Sequence, residues 1–178
     1  MIPFTRATQA VLFTCVVVWV LSLIHSASIK QLYRIENVAI ATEYSALLSE
    51  WKVGIGKTEN ESLLGLERKK DGVQIAVSRK NGLVVQIDGS QLNIGPESLK
   101  RGASRAEVHA VLGPPAASDN TEIPSEYWYR RNFLGQRVLI LCVEYEDPKV
   151  IRENPLAGKS TASGDSRVGA YVIQDAGF

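Results

Sequence analysis

The chain holds two histidines, His25 and His109, and two cysteines, Cys15 and Cys142, so metal and nucleophile chemistry have few starting points. A zinc site needs three or four clustered ligands. No other His and no accessible Cys stands near His109, so no metal site is expected. A catalytic triad needs a nucleophile, a base and an orienting acid. His109 gains such partners only if the fold brings them, and its context is that of a surface or half-buried helix histidine. Glu144, Glu146 and Asp147 cluster near a strand end, where a solvated edge is the expected role. Gly54-Ile55-Gly56-Lys57-Thr58 has the ending of a phosphate-binding P-loop. That loop needs its first glycine five residues before the last, so that successive N–H groups close round the phosphates. Trp51 occupies the position, so nucleotide binding is not expected. No catalytic, cofactor-binding or metal residue is assigned, and no enzyme is expected.

Binding chemistry has a better candidate. Tyr127, Trp128, Tyr129, Arg130, Arg131 and Phe133 stand close together in the sequence. On a strand, Tyr127 and Tyr129 face one way and Trp128 the other. One set can enter the core while the other lies exposed beside Arg130 and Arg131. Aromatics and arginine are over-represented at binding hot spots. Core packing is expected of Trp128. Tyr127, Tyr129, Arg130, Arg131 and Phe133 are the protein-binding candidates.

These residues need elements to position them, and the first element sets the compartment. Ala7 to Ile29 is 23 residues without Asp, Glu, Lys or Arg. A bilayer core of about 30 Å takes roughly 20 such residues as a helix, which satisfies its own backbone groups in hydrocarbon. Two readings fit the run. As an uncleaved signal anchor it spans the membrane, and its length favours this. As a cleavable signal peptide it has Arg6 and the amino terminus as basic start, Ala10 to Ile24 as apolar core and Ser26-Ala27-Ser28 as cleavage site. The run lacks the polar alternation of an amphipathic helix buried in a soluble protein. Flanking charge barely decides orientation, with Arg6 on one side and Lys30 and Arg34 on the other. An apolar segment this early usually leads export, so a single-pass protein of the bacterial inner membrane with its C-terminal domain in the periplasm is expected. Cleavage and secretion to the periplasm is the alternative. Cys15 lacks the small preceding residue of a lipid-attachment cysteine.

The remaining 150 or so residues suit one domain or two very small ones. Arg6 is the only charge in the first 29 residues, so the remainder carries 19 basic and 19 acidic residues. That balance argues against a nucleic-acid surface, which needs a basic excess to displace counterions. Cys15 and Cys142 should not meet, so no intramolecular disulfide is expected.

Five segments follow from the local patterns. Residues 1–29 are the anchor or signal. Residues 30–52 form a juxtamembrane helix, with Leu32, Ile35, Val38, Ala39, Tyr44, Leu47, Leu48 and Trp51 at helical intervals. Residues 53–98 begin with a capping box, Thr58-x-x-Glu61, and a short helix through Leu63 and Leu64 that stops at Gly65. Strands Gly72 to Ser78 and Leu83 to Asp88 then flank the hairpin signal Arg79-Lys80-Asn81-Gly82. Gly89 to Pro96 is a loop with a short strand at Leu92 to Ile94. Residues 99–152 begin with a second capping box, Ser104-x-x-Glu107, whose helix ends at Gly113-Pro114-Pro115. Strands Glu126 to Asn132, Val138 to Glu146 and Val150 to Arg152 follow, with Asp147-Pro148-Lys149 as a turn. Residues 153–178 are a Gly- and Ser-rich mobile tail with a last strand at Arg167 to Asp175. The two capped segments, each followed by a hairpin, suggest a degenerate duplication starting near residue 54.

Residues 99–152 resemble the envelope domain of the BamE/SmpA outer-membrane assembly lipoproteins. The resemblance rests on Lys100-Arg101-Gly102, the capped helix Ser104-Arg105-Ala106-Glu107-Val108, and Val111-Leu112-Gly113-Pro114-Pro115. The strand with Trp128-Tyr129, then Val143-Glu144-Tyr145 and the turn to Val150, follow in the family's order. The resemblance covers about a third of the chain and speaks to fold more than function. It implies an α+β domain of short helices packed in two layers on an antiparallel sheet, acting by binding envelope proteins. A tandem version is similar to the β-lactamase inhibitor proteins. The chain departs from the family in lacking a lipobox cysteine.

The expected function is therefore a membrane-anchored exported envelope protein, a non-enzymatic protein-binding assembly or accessory factor. The alternatives are an accessory subunit of a larger inner-membrane complex, held by its transmembrane helix, and an inhibitor or immunity protein that binds an enzyme. Expected partners are the membrane and other envelope or membrane proteins, with no nucleic acid, cofactor or small-molecule substrate.

Overall fold

The computed structural model describes residues 6–47, 51–53, 62–68, 70–119, 123–146 and 166–177. Helix α1 (Arg6–Leu32) runs directly into strand β1 (Tyr33–Ile35). Then come β2 (Val38–Ala39), a 3-10 turn (Tyr44–Ala46), β3 (Trp51–Val53), β4 (Leu63–Arg68), β5 (Gln74–Ser78), β6 (Val84–Gly89), β7 (Gln91–Ile94) and β8 (Glu97–Lys100). Helix α2 (Arg105–Leu112), β9 (Ala117–Asp119), β10 (Ser125–Arg131), β11 (Arg137–Glu146) and β12 (Arg167–Asp175) complete the chain. The architecture is α+β with antiparallel sheets and an N-terminal apolar helix.

Helix α1 is apolar all round. Thr8–Leu32 is long and apolar enough to cross a membrane or to serve as a signal sequence. Phe13 is 72% exposed and Trp19 61% exposed, so the protein covers neither. Its hydroxyls turn back on the helix: Thr14 Oγ1 donates to Ala10 O, Ser26 Oγ to Ser22 O and Ser28 Oγ to Ile24 O. Such back-bonding hides polar hydrogens from the surroundings. Its C-terminal part meets the body, from Ser22, which the β10–β11 hairpin covers, to Ile29, which packs on the core, and Lys30, whose Nζ pairs with Asp175 Oδ2 at 2.6 Å.

Eight strands form one sheet in the order β3-β4-β5-β6-β12-β11-β10-β9. A smaller sheet, β2-β1-β7-β8, lies across the inner face of the large one. One hydrophobic cluster fills the space between, including Ile35, Leu92, Ile87, Ile173, Leu141 and Trp128. The two sheets approach closely at Gly89, where a Cβ would stand 2.5 Å from Ile35 Cγ2. Helix α2 closes the open end of this layer with Val108 and Leu112.

The expected capping box at Ser104 forms in both directions. Ser104 Oγ accepts from Glu107 N, and Ser104 N donates to Glu107 Oε2 at 2.7 Å. This bond holds the Glu107 carboxyl below its usual range. Gly113 ends the helix at φ 78°, a conformation that favours glycine. The hairpins β5–β6 and β10–β11, the short strand β7 and the last strand β12 fall where the patterns place them.

Two expected elements are different. The helix expected over 30–52 ends at Leu32 and gives way to strands. Ile35 and Val38 face each other across a two-residue turn, Glu36-Asn37, with φ 48° and 72°. Positive φ at both central residues makes the tight hairpin turn whose twist suits its strands. The short helix expected at Leu63-Leu64-Gly65 is strand β4, with Leu64 opposite Val77 and Gly65 opposite Ala76. The two-layer domain of short helices therefore has, among the described residues, one short helix on a sheet-dominated core. The proposed duplication loses its matching helix for the same reason. The Thr58 capping box, the Gly54 to Thr58 loop, the Asp147 turn and the strand at Val150 lie outside the described residues, as does most of the 153–166 tail.

Candidate functional site

Strand β10 sorts its side chains by alternation. Glu126 and Trp128 are buried, while Tyr127 and Tyr129 are half-buried on the opposite face. On the inner side, Trp128 is 2% exposed and its Nε1–H donates to Gly113 O at 3.1 Å. Glu126 is nearly as buried, and it is a carboxylate. Arg105 Nε stands 2.8 Å from its Oε1, while His109 Nε2 and the Tyr145 hydroxyl lie 2.7 and 2.8 Å from its Oε2. Arg105 also sits over the Tyr145 ring at 5.1 Å. A carboxyl group this deeply buried costs free energy unless it has such partners. Burial and the Glu126 carboxylate push the Tyr145 phenol well above its usual range.

His109 thus acquires an acid partner that the sequence alone does not mark. The pair has the form of a base with its orienting acid, but its surroundings are those of a brace. The His109 ring meets Glu126 on one side and the edge of Trp128, at 6.1 Å between ring centroids, on another. The cluster pins α2 onto β10 and β11. The signal for it was Arg105 and His109, one helical turn apart and so on one face of α2.

On the outer side of β10 the Tyr127 hydroxyl and the Cys142 thiol meet each other. Tyr127 pairs across the ladder with Cys142, and Cys142 with Val172; Tyr129 pairs with Ile140. All five are half-buried, forming an apolar surface on β10, β11 and β12. Glu144, Gln174 and Asp88 border it. Burial and then the Glu144 carboxylate push the Cys142 thiol up to about 11, so it stays protonated near neutral pH. Burial likewise raises the Tyr127 phenol.

The structure divides the five binding candidates. Tyr127 and Tyr129 share the outer face. Arg130 turns inward, where its Nε donates to the Tyr33 hydroxyl and its guanidinium lies over the Tyr33 ring. Arg131 bends to the hairpin tip and donates to Gly135 O at 2.6 Å. Phe133, 52% exposed, stands at the tip against His25, with ring centroids 5.9 Å apart. One residue escaped the sequence reading: Arg137 lies over the Tyr129 ring at 4.2 Å. It stands opposite Arg131, and like charges in register repel. The two diverge, one to a carbonyl and the other to an aromatic face, and a β-bulge between Arg130 and Arg131 gives them room.

An open cleft of about 600 Å³ lies beside α2, lined in part by Lys100, Arg101, Glu107, Val111 and Arg167. Arg101 is engaged there, pairing with Glu146 at 2.6 Å. Comparison with protein-family models, with curated proteins and with solved structures returns no match.

Proposed function

We propose that this chain is a membrane-anchored exported envelope protein whose folded domain binds other proteins, without catalysis, as an assembly or accessory factor. Helix α1 is the anchor, and the domain stands in the periplasm beside a bacterial inner membrane. The carrying observation is the half-exposed apolar surface of Tyr127, Tyr129, Ile140, Cys142 and Val172, bordered by Arg137 and Glu144. Protein interfaces have this composition: aromatic and Arg residues near an apolar centre, with a polar rim. A sheet that covers its inner face with helix and strands while leaving aromatics outside has left that face for a partner. The resemblance to BamE/SmpA belongs to this proposal. Helix α2 followed by the β10–β11 hairpin keeps the family's order, although the sheet here extends well beyond that family's three strands.

The test places a photo-reactive residue at Tyr129 in the full chain in intact membranes. The expected result is a discrete protein adduct that Tyr127→Ala removes without moving the melting temperature. The same group at Asn81, on the far β5–β6 turn, should give none. Adducts only from positions in α1, such as Trp19, would overturn the sheet-face reading in favour of a subunit held within the membrane.

A further inference from the structure

The β10–β11 hairpin does not end at the edge of the body. It continues along α1, back toward the helix N-terminus. Arg130 meets Tyr33, just past the helix end. Further along the hairpin, Asn132 Nδ2 donates to Ser22 Oγ at 2.8 Å and Ser26 Oγ at 3.1 Å, and Phe133 N donates to His25 Nδ1 at 3.1 Å. From Tyr33 to Ser22 is about 16 Å of helix, at about 1.5 Å per residue. The tip is therefore laid down the helix by that distance.

The uncharged run starts at Ala7. A hydrocarbon core of about 30 Å uses roughly 20 helical residues, which brings its far boundary to about Ser26. The hairpin tip touches α1 at Ser22, His25 and Ser26, within the last turn of that span. We propose that the tip is a second membrane contact: Phe133 and Leu134 enter the interfacial layer of the bilayer that α1 crosses, and Arg131 and Arg137 face its phosphates. This inference rests on the reading of α1 as a membrane anchor.

The composition and exposure of the tip fit that occupant. Phe133 is 52% and Leu134 47% exposed, and Leu23 and Ile24, in the stretch of α1 that the tip reaches, are exposed as well. The backbone N–H groups at the tip find partners within it or on α1, as an apolar setting favours. Asn132 Oδ1 accepts from Leu134 N and Gln136 N, and Gly135 N donates to Asn132 O. Ser22, a hydroxyl inside the span, is 3% exposed because the tip covers it. From Tyr127 to Val143 there are three arginines and no acidic residue, and Tyr129 carries Arg137 on its ring. Aromatic rings and arginines at this depth are the usual interfacial anchors, and interfacial segments bury their apolar face about 5–10 Å.

The test uses the full chain with Cys15→Ser and Cys142→Ser, reconstituted in vesicles of phosphatidylcholine and phosphatidylglycerol. A solvent-sensitive fluorophore is attached in turn through Leu134→Cys, Val17→Cys and Asn81→Cys. Spin-labelled lipids with shallow or deep nitroxides then report depth. The expected result is a blue-shifted emission at 134 quenched several-fold more by shallow than by deep labels, deep quenching at 17, and none at 81. In the parent, raising the share of phosphatidylglycerol should increase quenching at 134, and a second chain adding Arg131→Gln and Arg137→Gln should lose that increase; the same increase in both chains overturns the phosphate contact. Quenching at 17 without quenching at 134 overturns this inference and leaves the anchor standing. Loss of quenching at both overturns the anchor as well. A blue shift at 134 that no lipid label quenches means that protein covers the tip, and also overturns it.

Discussion

The two faces of β10 differ although their residues are adjacent in sequence. On the inner face, Glu126, Trp128 and Arg130 each end on a named partner: an arginine, histidine and tyrosine; a helix-end carbonyl; and a tyrosine hydroxyl. On the outer face, Tyr127 meets Cys142 across the ladder and Tyr129 carries a stacked arginine. Polar and aromatic groups thus serve opposite ends within seven residues. Inside, they are saturated and lock the helix to the sheet. Outside, they stay half-buried with fewer contacts, as the proposed recognition surface requires.

The contrast can be broken most severely at Trp128. Trp128→Ala should cost about 3–5 kcal/mol, through the cavity and the freed Gly113 carbonyl, measured by denaturation of the full chain in detergent. Glu126→Ala should cost less, about 2–3 kcal/mol, because Arg105 and His109 retain access to water when their buried partner goes. Tyr127→Ala should reverse the profile, changing stability by less than about 1 kcal/mol while abolishing the photo-adduct formed from position 129. A loss of stability comparable with that of Trp128→Ala would show that the two faces are alike. Cys142 sharpens the comparison without any mutation. With its pKa raised from 9.0 to about 11, the native thiol should alkylate roughly 100-fold more slowly at pH 8 than the same thiol in denaturant, since thiolate is the reactive form. A rate equal to that of a free thiol would mean that the outer face is not packed as described.

The smallest effect belongs to Glu107 at the rim of α2. The Ser104 backbone hydrogen bond holds its carboxyl below the ordinary value of 4.5. A depressed folded-state pKa gives stability that is present above the unfolded value and lost as pH falls through the folded one. The melting temperature of Glu107→Gln should therefore fall less steeply than that of the parent below about pH 4.5, and match its slope above.

The sequence showed some of this and concealed the rest for identifiable reasons. Alternation along β10, β11 and β12 and the Asn81-Gly82 turn placed the hairpins, since strand period and turn chemistry are local. The Ser104 box placed α2 for the same reason. Ile35 and Val38 were misassigned because a spacing of three suits both a helical turn and a two-residue hairpin. Only the positive φ at Glu36 and Asn37 separates them. Leu63-Leu64-Gly65 resembled a helix end, but pairing with β5 decides it, and pairing is not local. Along β10, alternation put Tyr127 and Tyr129 on one face and Trp128 on the other. It could not find the fate of Arg130 or the arrival of Glu126 beside His109, because both depend on elements far apart in the chain.

Helix α1 ends at Leu32 and β1 begins at Tyr33, with no spacer between them, and Lys30 is clamped to Asp175. A tethered head on a loose stalk would sweep a hemisphere and sample many altitudes. This one has a fixed elevation and a fixed bearing relative to its post. Under the proposed orientation, whatever docks must present its patch in a thin stratum at that elevation. Three inserted glycines between Leu32 and Tyr33, together with Lys30→Ala and Asn132→Ala to release the clamp and the hairpin tip, would dissolve that constraint without touching the outer face of the sheet.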